Sequence, residues 1–119
     1  MEKLFDGEFR LMEILWREGP MGSTQLVRLC ARDLGWNKST TYTVLRRLCA
    51  KGAAQNEQSL VTPLFTREEA IRAEGDALVA KSGGIGFFFN AFFSGRTLTP
   101  QEADQLQALI DQSRKEEET

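Results

Sequence analysis

A mainly α fold with a small β wing is expected for this chain of 119 residues. Apolar residues recur at helical spacing in several separate stretches, some of which open on recognisable helix-start signals. Only two short runs, set about a polar turn, read as strands.

The first helix is expected to start at an Asp6 cap and run to Glu18, because Phe5, Phe9, Met12 and Trp16 fall at helical spacing with Leu15 beside them. Gly19-Pro20 stops it. A second helix runs from about Ser23 to Asp33, its apolar face being Leu26, Val27, Leu29 and Cys30. Leu34-Gly35-Trp36 is a tight connection, in which Gly35 supplies the backbone freedom of a sharp corner. The third helix lies within Trp36–Gly52 (WNKSTTYTVLRRLCAKG), with Asn37 as its cap and Gly52 as its end. Thr41, Val44, Leu45 and Leu48 point inward.

Ala53 to Asn56 and Leu60 to Pro63 are the wing strands, joined by a turn around Glu57 to Ser59, although Ala53-Ala54 has weak strand propensity. Three short helices on tight corners followed by a strand pair describe a winged helix-turn-helix domain. Thr66-Arg67-Glu68-Glu69 is a capping box that opens a fourth helix reaching about Lys81. After Gly83-Gly84 comes an aromatic stretch, and Thr99, Pro100 and Glu102 then start a last helix lined by Ala103, Leu106, Leu109 and Ile110. The expected organisation is a winged-helix DNA-binding domain over residues 1–65 and a helical dimerisation region over 66–119.

The third helix carries Lys38, Arg46, Arg47 and Lys51 and no acid, in a chain whose net charge is −2. Residues 1–52 hold 9 Lys and Arg against 6 Asp and Glu; the remainder holds 6 against 11. A polyanion is therefore drawn to the front half and repelled by the back half. The positions left outside the apolar face, Lys38, Ser39, Thr40, Tyr42, Thr43 and Arg46, cluster in the half of the helix that such domains insert into the DNA major groove. Cations there hold phosphates, and short hydroxyl-bearing side chains reach base edges.

Other function classes are disfavoured. There is no His, the commonest general base, and no Ser or Cys has an identifiable activator, so an enzyme is not expected. Glu68-Glu69 and Glu116 to Glu118 are solvating charge, and Ser82 to Gly86 lacks the Lys-Ser/Thr of a phosphate loop. No metal or other cofactor is expected, because two isolated cysteines without His make a poor site. Cys30 and Cys49 read as small core residues of a cytoplasmic protein. The N-terminal MEKLFDGEFR lacks a signal core, and Ile85 to Phe93, interrupted by Gly86 and Asn90, is too short to span a bilayer. Phe87, Phe88, Phe89, Phe92 and Phe93 are too many for a small helical appendage to cover, and burying each is worth roughly 1.5–3 kcal/mol. A twofold partner is expected to cover them together with Leu106, Leu109 and Ile110; the alternative is that the phenylalanines pack onto the chain's own winged-helix domain.

Several segments carry a resemblance. They are Glu13-Ile14-Leu15-Trp16, Trp36 with Ser39-Thr40-Thr41-Tyr42-Thr43-Val44-Leu45-Arg46-Arg47-Leu48, Lys51-Gly52, Thr62-Pro63-Leu64-Phe65-Thr66-Arg67-Glu68-Glu69, and Leu98-Thr99. In this order the chain resembles the penicillinase repressor family of bacterial regulators over about residues 5–113. The resemblance implies a homodimeric transcriptional repressor on a palindromic operator in double-stranded DNA. It implies that Ser39, Thr40, Tyr42 and Thr43 face bases with Arg46 nearby, and that Lys38, Arg47 and Lys51 serve phosphates or local packing. In one branch of the family a membrane-bound sensor protease triggers cleavage of the repressor, so such a protease is an implied upstream partner.

Three departures qualify the likeness. Gln55-Asn56-Glu57-Gln58, in a shorter wing, has no cation where basic residues are common, which argues against wing contact with DNA. Asn90 is followed by Ala91 and only then Phe92, unlike the Asn-Phe of the cleaved branch. No Cys follows Cys49, which excludes the C-terminal cysteine site of the copper-responsive branch. The uncharged wing and acidic back half leave one alternative, a winged-helix protein-interaction module without DNA binding.

Overall fold

The computed structural model describes residues 2–114. Its elements are α1 (Asp6–Glu18), β1 (Met21–Gly22), α2 (Ser23–Leu34), α3 (Lys38–Ala50), β2 (Ala54–Glu57), β3 (Leu60–Pro63), α4 (Arg67–Ser82), α5 (Ile85–Phe93) and α6 (Pro100–Ser113). Three helices and an antiparallel sheet in the order β1-β3-β2 form a winged helix-turn-helix. Its core is Leu11, Met12 and Leu15 from α1, Leu26 from α2, Leu45 and Leu48 from α3, and Val61 from β3.

The start of α1 corrects the sequence expectation. Phe5, not Asp6, is the N-cap; its side chain can accept no hydrogen bond, and the Phe5 N–H donates to Glu8 Oε1 at 2.8 Å. Asp6 falls in the first turn, where a negative charge suits the helix dipole. The buried face is also turned by one residue. It follows Leu4, Glu8, Leu11 and Leu15; Met12 and Leu15 are buried as expected, whereas Phe5 is 62% exposed and Phe9 and Trp16 are only partly buried. A glutamate on that line disguised it, and the apolar Phe5–Phe9–Met12–Trp16 line beside it looked more continuous.

Local signals place α2, α3, α4 and α6 well, but α5 (Ile85–Phe93) forms where the sequence shows only an aromatic stretch. The Asn37 Oδ1 accepts the Thr40 N–H at 2.8 Å, closing the N-terminus of α3 as expected. Thr41, Val44, Leu45 and Leu48 are its buried residues. Both capping boxes form: the Glu69 N–H donates to Thr66 Oγ1 and the Thr66 N–H to Glu69 Oε1, and Glu102 and Thr99 repeat the exchange.

The wing differs in detail. Its first strand starts one residue later than expected, because the Ala53 N–H caps Leu48 O at the end of α3 and the Ala53 carbonyl accepts from Leu64. Gln58 and Ser59 make the two-residue turn, both at positive φ (51° and 65°), the mirror-image geometry that hairpins favour. The third strand, β1, was not foreseen; Met21 pairs with Val61 and Gly22 with Leu60.

The chain separates into two compact units, the first ending at Leu78 and the second beginning at Val79. The first therefore includes the connection into α4, where Trp16 Nε1 donates to Phe65 O at 2.8 Å, and most of α4 itself, whose Arg67 lies 3.5 Å from Glu13. In the second, neither α5 nor α6 has a buried residue.

Candidate nucleic-acid interface

With Thr41, Val44, Leu45 and Leu48 turned to the core, helical periodicity puts Ser39, Thr43, Arg46 and Ala50 on the opposite line of α3. Ser39 and Arg46 are exposed and Thr43 is partly exposed. Thr40 and Arg47, both exposed, flank that line on one side and Tyr42 flanks it on the other; Lys38, also exposed, opens the helix two turns before Leu45. This assembles most of the residues singled out from the sequence on one surface.

The charges on that surface differ from a paired cluster at the C-terminal ends of α1 and α2. Arg17 and Arg32 both hold the Asp33 carboxylate, at 2.8 and 2.7 Å, and Arg17 also meets Glu18 at 2.9 Å. Arg32 and Arg17 keep Asp33 deprotonated well below the ordinary carboxylate range, at a pKa of about 2. By contrast, the side chains of Lys38, Arg46 and Arg47, like those of Arg10 on α1 and Arg28 on α2, make no hydrogen bond or ion pair among the described residues, although the Arg47 charge acts on Glu8. Unpaired exposed cations remain available to an external anion, and no acid within α3 competes for them.

Two expected contact residues have other occupations. Lys51 is drawn inward: its Nζ lies 2.6 Å from Glu8 Oε1, donates to Lys3 O at 2.7 Å and sits 4.2 Å from the centre of the Phe5 ring. Its side chain is 15% exposed and that of Glu8 is 3% exposed. Of the two roles open to Lys51, phosphate contact or local packing, this geometry is that of packing. Burial pushes the Glu8 carboxyl up, but the Lys51 hydrogen bond, the Phe5 N–H and the charges of Lys51 and Arg47 outweigh it and leave the pKa lowered. The pair spans 43 residues of sequence, and no local pattern announces it. Tyr42, expected to face bases, is partly buried and donates its hydroxyl to Ser23 Oγ at 3.2 Å.

The expected dimer residues fall into groups. In α5, Phe88 stacks on Phe92 and Phe89 on Phe93, each with ring centres 5.7 Å apart, and edge contacts join the two stacks. The Arg96 guanidinium caps the Phe92 ring at 4.1 Å. Phe87 is 70% exposed and makes no ring contact with the other four. On α6, Leu109 and Ile110 are exposed and Leu106 partly so.

Burial raises the thiol pKa of both Cys30 and Cys49, so neither is an activated nucleophile. Among the described residues no group of three or more His, Cys, Asp or Glu is placed to hold a metal ion, and no helix is long and apolar enough to cross a membrane.

Comparison with known proteins gives a consistent result. The family model described as penicillinase repressor matches residues 5–112. A penicillinase repressor of Bacillus licheniformis is 21% identical over 108 residues, which cover 87% of this chain and 80% of that protein.

Proposed function

The chain belongs to the penicillinase repressor family, and from that premise we propose that it is a cytoplasmic transcriptional repressor that binds a palindromic operator as a homodimer. The first unit docks on DNA with α3 in the major groove. Ser39, Thr40, Thr43 and Arg46 meet base edges, while Lys38 and Arg47 hold phosphates. The observation that carries this reading is the exposed outer line of α3, with hydroxyls and a guanidinium aligned among cations that the fold leaves unpaired.

Pairing of two copies is supported by the second unit. The Phe88–Phe92 and Phe89–Phe93 stacks, with Leu109 and Ile110, leave apolar surface for which a twofold partner presenting the same surface is a natural cover. Two linked α3 helices also bind a palindrome far more tightly than one.

A gel shift on a palindromic fragment from the chain's own upstream region, run across salt concentrations, tests the proposal. Lys38 and Arg47 from two protomers should give a log–log salt slope of about −4. The wing, whose strand β2 and turn bear Glu57 as their one charge, favours the second reading of a protein-interaction module. Such a module would show weak, sequence-independent retention or none.

A further inference from the structure

Ser23, the first residue of α2, is held at both its ends. Its Oγ accepts from the Tyr42 hydroxyl, and its backbone N–H donates to Ser59 O at 2.8 Å. Ser59 is the second residue of the wing turn, and Gly22, just before Ser23, pairs with Leu60 just after that turn. The serine is 7% exposed, so its hydroxyl has little water to bond instead. One residue thus connects the side of α3 to the tip of the wing.

We propose that Tyr42 is a positioning residue: through Ser23 it fixes the rotation of α3 against the wing turn, and it does not itself read a base. This rests on the operator reading above. The wing explains the need. Gln55, Asn56, Gln58 and Ser59 are neutral and Glu57 is acidic, so the wing has no cation with which to orient the domain on phosphates. The aim of the Ser39–Thr43–Arg46 line then depends on bonds inside the fold. Tyr42 lies on the flank of that line nearest α2, where its ring packs against the core and its hydroxyl takes a polar partner.

The test is a double-mutant cycle in the full chain with Tyr42→Phe, Ser23→Ala and both. Each single variant should lower affinity for the palindromic fragment about three- to tenfold, the scale of one neutral hydrogen bond. The double variant should lose no more than either single one. The loss should be equal on fragments with single base-pair changes, binding to unrelated DNA should be unchanged, and the Ser59 amide resonance should move in Tyr42→Phe. Additive losses, unchanged affinity, or a loss confined to one base pair would overturn the positioning role, the last by making Tyr42 a base reader. A wild-type chain that bound no palindrome would overturn the operator reading itself, and the role given to Tyr42 with it.

Discussion

The two units treat their apolar side chains in opposite ways. The unit ending at Leu78 encloses Leu11, Met12, Leu15, Leu26, Leu45, Leu48 and Val61. The unit beginning at Val79 leaves Ile85, Phe87, Leu109 and Ile110 each more than half exposed, and its helices α5 and α6 bury nothing. A winged helix can be complete as one chain because three helices and a sheet surround a common core. Helices α5 and α6 have no buried residue of their own, and all five phenylalanines of α5 remain at least partly exposed. The contrast also divides the chemistry: polar and cationic groups line α3 in the first unit, and aromatic surface dominates α5 in the second.

The largest expected effect attacks the second unit. Phe92→Asp and Phe88→Asp each remove an apolar side chain twice per proposed dimer, a loss of roughly 3–6 kcal/mol before any charge repulsion. Sedimentation should find monomer or insoluble protein; a soluble dimer of unchanged affinity for both would remove the proposed interface.

A smaller effect is expected within the first unit, where the buried Glu8 pairs with the part-buried Lys51. Glu8→Ala or Lys51→Met leaves the other charge unpaired and should cost about 2–4 kcal/mol in urea unfolding. The same pair sets an acid response. Because the folded-state pKa of Glu8 is lowered, its stabilisation is present above the ordinary glutamate range and is lost as pH falls through the folded value. Glu8→Gln should therefore flatten the acid end of the stability profile, and an unchanged profile would show that Glu8 does not carry it.

The smallest effect concerns a single cation. Arg47→Ala should weaken binding to all DNA sequences alike and make the salt slope shallower by about 1 for each phosphate left without its guanidinium, one per protomer. A change in base preference would instead place Arg47 at a base edge.

The features legible from sequence are those encoded within a turn or two. Asn37 with Thr40, Thr66 with Glu69 and Thr99 with Glu102 are three apart, and each forms the bond its spacing implies. The inward face of α3 is equally plain, since no charge interrupts Thr41, Val44, Leu45 and Leu48. What the sequence hides depends on distant partners. β1 is two residues long and is a strand only because Val61 and Leu60 lie beside it. Glu8 looks like a polar position on α1 because Lys51, its partner, comes two helices later. Tyr42 resembles its exposed neighbours until the fold brings Ser23 beside it.

The central claim is that the outer line of α3 reads operator DNA, and the affinity of Thr43→Ala/Arg46→Ala for the palindromic fragment tests it most directly. The double variant should keep its fold and its sedimentation behaviour yet bind about 10- to 100-fold more weakly, with relaxed preference among base-pair variants. Wild-type affinity and wild-type preference in that variant would contradict it.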